Sequence, residues 1–271
     1  MNSSKLYNKL KKDFFIIAGP CVIENEKNAL EIAEKLKKIS EELNIEIIFK
    51  ASFDKANRSS INSFRGLGID KGLDILSKVK TTYDLNITTD VHEPNQVNKV
   101  SDIVDIIQIP ALLCRQTDLI LAAAKSQKIV NIKKGQFMSP YEIKYAVQKA
   151  YTLNNKVMIT ERGTSFGYNR LVVDMSGIVE MKNLNVPLIF DATHSVQLPG
   201  SNEGSSGGNV KYVKELAKAA TAIGISGVFF ETHIHPDDAL SDSKCMINIT
   251  DLKQNLIDLI NINKLVKGEF N

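Results

Sequence analysis

"FFIIAGPCVIENEKNALEIAEKLKKISEELNIEIIFKA", residues 14–51, is the stretch whose reading decides the fold. It opens on "FFIIAG" (14–19), a short aromatic and β-branched run with no polar alternation, as expected of a strand buried on both faces. It continues as "NALEIAEKLKKISEEL" (28–43), where apolar residues recur at helical spacing. It ends on a second run of the first kind, "IEIIFKA" (45–51). Strand, helix and strand in this order predict two parallel strands joined by a crossover helix.

The same alternation continues through the chain. Further strand-like runs are "LNITTD" (85–90), "VDIIQI" (104–109), "IVNIKK" (129–134), "KVMITE" (156–161), "VPLIFDA" (186–192) and "SGVFFE" (226–231). Helical spacing returns in "GNVKYVKELAKAATAI" (208–223) and "ITDLKQNLIDLINI" (249–262), and "PGSNEGSSGG" (199–208) reads as a loop. Eight such strands within 271 residues match the size of an α/β protein built as a (β/α)8 TIM barrel. No Pro/Gly/Ser-rich linker splits the chain, so residues 1–271 are expected to form a single catalytic barrel domain. The competing architecture, an open doubly wound sheet, lacks its Gly-rich fingerprint after the first strand. "FRGLGIDKG" follows no strand and reads as a plain loop.

Composition narrows the function classes. With 34 Lys and Arg against 31 Asp and Glu, the net charge of +3 points to neither nucleic acid nor a membrane surface as partner. The start of the chain, through Cys21, loosely imitates a secretory signal. Its apolar run is too short, and Pro20 stands where a lipoprotein site has none. No stretch reaches the ~20 apolar residues of a membrane span. Cys21, Cys114 and Cys245 are few, odd in number and irregularly spaced, which predicts a reducing, cytoplasmic location.

Barrel enzymes react at the C-terminal ends of their strands. Those positions hold Cys21; Lys50, Ser52, Lys55, Asn57 and Arg58; Asp90 and His92; and Gln108. The later strands add Lys133-Lys134, Glu161-Arg162, Asp191 and His194, then Glu231 and His233. The convergent cations Lys50, Lys55, Arg58, Lys133 and Arg162 call for an anion, more than one phosphate or carboxylate. Singly, each lysine reads better as a solvated loop charge paired with Asp54, Asp90 or Glu161, but the convergent set does not.

Barrel closure places strand 1 beside strands 7 and 8. It thereby gathers Cys21, His194, Glu231 and Asp242, a donor set suited to a divalent metal such as zinc or iron(II). Taken alone, Cys21 reads by default as a buried filler. A nucleophilic role lacks any thiol-hydrolase signature. His92, His233 and His235 read as supporting or loop residues, and Asp237 and Asp238 as caps. Cys114 and Cys245 receive no functional role.

"FKASFDKANRSS", "TDVHEP", "IQIPALLCRQTDL", "NIKKGQF", "ERGTSFGYNRLVVDM", "FDATHSVQLPG" and "ETHIHPDDALSD" closely resemble the 3-deoxy-D-manno-octulosonate 8-phosphate synthase family. The resemblance runs from "AGPC" to the last helix. It implies condensation of phosphoenolpyruvate with D-arabinose 5-phosphate and water, with release of phosphate, on the route to lipopolysaccharide. By resemblance Lys50, Ser52, Lys55, Gln108, Lys133 and Arg162 hold phosphoenolpyruvate. Asn57, Arg58, Ser59 and Asp90 bind the sugar phosphate, and Arg115 reaches it from a neighbouring subunit of a homotetramer. Lys50, Lys55, Lys133 and His194 are the implied catalytic groups.

Cys21, His194, Glu231 and Asp242 match the ligands of the metal-dependent class, with zinc or iron(II) expected and manganese or another divalent ion able to serve. The metal-independent class carries asparagine at the cysteine position. One departure is Arg170, where the family usually has Asn. Other readings are a related phosphoenolpyruvate-dependent synthase (3-deoxy-arabino-heptulosonate 7-phosphate or sialic-acid type), a Schiff-base aldolase using Lys50 or Lys133, and a non-catalytic phosphosugar-binding barrel.

Overall fold

The computed structural model describes residues 2–58, 60–202 and 205–269. Eight parallel strands form the barrel: β1 (Phe15–Gly19), β2 (Glu46–Lys50), β3 (Asn86–Asp90), β4 (Ile106–Ile109), β5 (Ile129–Lys133), β6 (Val157–Glu161), β7 (Leu188–Asp191) and β8 (Gly227–His233). Each pairs with the next, and β8 returns to β1 in the register Phe15↔Gly227 through Gly19↔Glu231. The (β/α)8 barrel expected from the alternation is therefore closed.

The strands read as continuous apolar runs because both of their faces are buried. Residues facing outward, such as Ile16, Ile47, Phe49 and Val130, pack against helices in the larger core cluster. Those facing inward obey the strand period of two and change character with height. At the base lie Phe15, Ile17, Ile48, Ile106, Ile129, Met158, Ile189 and Phe229. Two or four residues further along the same strands, the inward positions become Lys50, Gln108, Lys133, Arg162, Asp191 and Glu231. One end of the barrel is thus an apolar plug and the other a polar basin.

The base is completed by α1 (Ser3–Lys12), a helix the sequence reading did not foresee. Asn2 caps it, its side-chain oxygen accepting the Ser4 N–H at 2.9 Å. Leu6, Tyr7 and Leu10 are buried against the base residues, and the Tyr7 hydroxyl donates to the Val157 carbonyl at 3.0 Å. The segment that imitates a signal is therefore α1 followed by β1.

Around the barrel run α2 (Glu26–Leu43), α3 (Ile69–Tyr83), α4 (Gln96–Ser101), α5 (Thr117–Lys125), α6 (Ile143–Tyr151), α7 (Met175–Lys182), α8 (Val213–Ala222) and α9 (Ile249–Lys267). Two loop readings need correction. "FRGLGIDKG" supplies the start of α3, with Gly68 at its N-cap at φ +82°, where glycine is favoured. The Gly/Ser-rich stretch is an antiparallel hairpin, Gln197–Asn202 with Ser205–Gly208. Asp237 and Asp238 lie inside the short 3-10 turn Pro236–Asp238, whose cap position His235 takes. Among the described residues, no helix is long and apolar enough to cross a membrane.

Candidate active site and metal centre

The polar basin holds a cavity of about 250 Å³, lined among others by Lys50, Lys55, Asn57, Arg58, Asp90, Gln108, Lys133, Arg162, His194 and Asp242. Of the residues expected to bind two anions, Lys50, Lys55, Asn57, Arg58, Asp90, Gln108, Lys133 and Arg162 thus share one concave surface. A larger groove of about 740 Å³ lies at the opposite end, between α1, α2 and α9. Its lining mixes Lys9 and Lys264 with Asp13, Glu41 and Glu46, and it contains none of the expected site residues.

The cations are held, not solvated. Lys50 is buried, and its Nζ donates to the Cys21 carbonyl at 3.1 Å and to Ser52 Oγ at 2.8 Å. Ser52 Oγ in turn donates to Asp90 Oδ1 at 2.5 Å. Burial drives the Lys50 ammonium below its usual range, and neighbouring Lys55 adds to the effect. For Lys55, burial pulls the same way, but the Cys21, Glu231, Asp90 and Asp242 charges outweigh it and raise its affinity for the proton. Gly19 makes the approach possible, because a Cβ there would collide with the Lys50 carbonyl oxygen.

Across the basin, Lys133 Nζ lies 2.5 Å from Asp191 Oδ2 and 3.3 Å from His194 Nδ1. Arg162 is buried and donates to Gln197 Oε1 at 2.6 Å. Strand parity separates two pairs that look alike in sequence. Lys134 and Glu161, one residue out of phase with Lys133 and Arg162, do not line the cavity. Their side chains approach to 3.4 Å, and Lys134 Nζ donates to the Met138 carbonyl and to Thr164 Oγ1, both at 3.1 Å.

At the β1–β8–β7 side the four expected metal ligands converge. One ligand atom each from Cys21, Glu231 and Asp242 lies within 4.8 Å of the others. His194 Nε2 is 3.1 Å from Glu231 Oε1 and 3.6 Å from Asp242 Oδ2. Cys21 Sγ donates to Asp242 Oδ2 at 3.1 Å and sits 2.9 Å from Ser241 Oγ. Asp242 adopts φ +50°, a left-handed conformation that aspartate tolerates better than most residues.

Glu231 tests whether a cation fits. It is fully buried; His194 Nε2 approaches Oε1 at 3.1 Å, and Oε2 has no hydrogen-bond partner among the described residues. Burial would push its proton affinity up. His194 and Lys55 outweigh that and hold its pKa at about 2. An ionised carboxylate with idle lone pairs, beside a thiol, an imidazole and a second carboxylate, fits a divalent transition metal. Burial, then Asp242 and Glu231, raise the Cys21 thiol pKa. The buried-filler and nucleophile readings of Cys21 explain none of this convergence.

Several supporting residues went unassigned in the sequence reading. Asp191 Oδ2 meets His194 Nδ1 at 2.6 Å, while its Oδ1 accepts the His194 N–H at 2.9 Å. Ser241 and Gln197 are likewise new. The His92 side chain is enclosed, with Nε2 3.3 Å from Asp90 Oδ2. Arg115 is exposed and does not line this chain's own cavity. Arg170 is exposed beside the turn of the hairpin Thr164–Ser165/Leu171–Val172, where its carbonyl accepts the Phe166 N–H at 2.9 Å. Ser59 lies outside the described residues. Cys114 and Cys245 are buried free thiols.

The model of the DAHP synthetase I family matches residues 8–267. The chain belongs to the DAHP synthetase I family. Within it, the chain is 53% identical over 268 residues to a 2-dehydro-3-deoxyphosphooctonate aldolase of Rickettsia prowazekii, covering 98% of this chain and 97% of that protein. A protein of the same name from Campylobacter jejuni subsp. jejuni serotype O:23/36 is also 53% identical, over 94% of this chain and 98% of its own length. One from Rickettsia canadensis is 54% identical, over 97% of each. The family's match begins inside α1 and ends at the last residue of α9, so it spans all eight barrel strands.

Proposed function

We propose that this chain condenses phosphoenolpyruvate with D-arabinose 5-phosphate and water, yielding 3-deoxy-D-manno-octulosonate 8-phosphate and inorganic phosphate, as a metal-dependent synthase. The observation that carries the reading is one cavity in which five cations face the Cys21–His194–Glu231–Asp242 cluster. The relatives' shared name supplies the product. An eight-carbon product less the three carbons of phosphoenolpyruvate leaves a five-carbon aldose phosphate as acceptor. A heptulosonate synthase would need a four-carbon one.

In this reading Lys50, Ser52, Lys55, Gln108, Lys133 and Arg162 hold the phosphate and carboxylate of phosphoenolpyruvate. Asn57, Arg58, Ser59 and Asp90 receive the sugar phosphate, with Arg115 contributed by a neighbour in a homotetramer. Both substrates are held by charge-assisted hydrogen bonds, so carbon 3 of the enol faces the aldehyde carbon without further ordering. As the carbon–carbon bond forms, positive charge grows at carbon 2 and negative charge on the aldehyde oxygen, which takes up a proton. Water adds at carbon 2, and phosphate leaves by carbon–oxygen cleavage. Lys55 and Lys133 offset the negative charge throughout. Asp191 keeps the His194 ring oriented with Nε2 toward the cluster.

Cys21, His194, Glu231 and Asp242 would hold the metal, zinc or iron(II) on the donor set, which supplies Lewis acidity for the water and the aldehyde. A thiolate ligand requires reduced cysteine, which agrees with a cytoplasmic setting. The test is phosphate release from phosphoenolpyruvate with four- and five-carbon aldose phosphates in parallel. Release with arabinose 5-phosphate alone supports the reading, and release with the four-carbon acceptor alone overturns it.

A further inference from the structure

We propose that Glu24 is a positioning residue that sets the separation between Cys21 and Asp242, and so the affinity of the metal centre. The inference rests on the metal reading above. Cys21 and Asp242 belong to two different loops, one after β1 and one after β8, and neither loop is regular at the ligand itself. Glu24 lies three residues beyond Cys21, and its Oε1 accepts the Leu240 N–H at 2.8 Å, two residues before Asp242. Its other oxygen, Oε2, accepts from Asn28 Nδ2 at 3.2 Å and lies 3.6 Å from His233 Nε2.

The clasp closes on both sides. Asn28 Nδ2 is also 2.6 Å from His233 Nε2, and His233 Nδ1 is 2.7 Å from the His235 carbonyl oxygen. One carboxylate therefore ties the start of α2, the end of β8 and the loop bearing Ser241 and Asp242. Through that loop it sets the 2.9 Å contact of Ser241 Oγ and the 3.1 Å contact of Asp242 Oδ2 with Cys21 Sγ. Without the clasp, a loop holding Asp242 at positive φ has its backbone free to relax to a commoner conformation.

Glu24 touches neither ligand, so it acts through the loop that carries Asp242, and metal affinity reads that effect with no substrate present. The test uses the full chain with cadmium alone, reading affinity by chelator competition and the thiolate-to-cadmium charge-transfer absorption of Cys21. Glu24→Ala is expected to weaken cadmium about 10- to 100-fold, the range typical of residues that orient ligands. Glu24→Gln keeps a carbonyl acceptor for Leu240 and is expected to stay near the unsubstituted protein. Glu24→Asp, one methylene short, is expected to behave like Glu24→Ala. Should Glu24→Ala not fold, the contrast between Gln and Asp decides. Unaltered cadmium affinity in Glu24→Ala or Glu24→Asp overturns this proposal alone. Absence of the absorption band in the unsubstituted protein overturns the metal reading and this proposal with it.

Discussion

Asp191 and His194, three residues apart at the end of β7, are joined twice, by a 2.6 Å contact between Oδ2 and Nδ1 and by a 2.9 Å bond from the His194 N–H to Oδ1. Burial disfavours the Asp191 charge, but His194 and Lys133 outweigh it and hold the carboxylate far below its usual range. The double contact leaves Nε2 as the free ring nitrogen, 3.1 Å from Glu231.

Asp191→Asn therefore lowers metal affinity about 10- to 100-fold, since a buried carboxylate on the far nitrogen both orients the ring and raises its basicity. Titration of metal-stripped protein with zinc checks this. Unchanged affinity would show that the ring is held by its surroundings alone.

Arg58 is poised over the same cluster, with Nη1 3.1 Å from Asp242 Oδ1 and Nη2 3.7 Å from Cys21 Sγ. Its assigned partner in turnover is the sugar phosphate. A hydrogen bond to a charged group contributes about 1.5–3 kcal/mol, so Arg58→Ala raises KM for arabinose 5-phosphate about 10- to 100-fold. KM for phosphoenolpyruvate moves far less. Steady-state kinetics with each substrate varied in turn reads the difference, and equal effects would mean the two anion sites are exchanged.

Lys50 is the lysine that a Schiff-base aldolase would use, because burial lowers its proton affinity. Its Nζ is instead engaged by the Cys21 carbonyl and Ser52. Borohydride added with a keto-acid substrate leaves no covalent adduct on Lys50 or Lys133. Mass spectrometry that finds one would replace the proposed chemistry.

Leu10 is fully buried in the plug beneath the barrel. Leu10→Ala destabilises the fold by about 2–5 kcal/mol, the usual cost of emptying such a site. Denaturant unfolding measures it, and a change within experimental error would mean that α1 is not part of the cooperative core. Activity of the folded fraction stays unchanged, since Leu10 lies at the opposite end of the barrel from the cavity.

The barrel was legible because eight β-branched runs alternate with helical spacing, and the basin because every strand ends in a polar group. Period-two counting from the apolar base residues would also have separated Lys133 from Lys134 and Arg162 from Glu161. The plug was hidden because Leu6, Tyr7 and Leu10 are isolated apolar residues in a short basic segment that imitates a signal. Ser241 and Glu24 were hidden for another reason. Their partners lie more than two hundred positions away in the chain, and only barrel closure brings the two loops together. Asp191 carried a readable signal, an acid three residues before a candidate ligand histidine.

The account stands or falls on the link between the Cys21–His194–Glu231–Asp242 cluster and turnover. The most direct measurement is phosphate release from phosphoenolpyruvate and arabinose 5-phosphate by chelator-stripped protein, before and after a divalent metal is restored. The account predicts no release from the stripped protein and recovery in proportion to metal bound. Full activity in the stripped protein would contradict it.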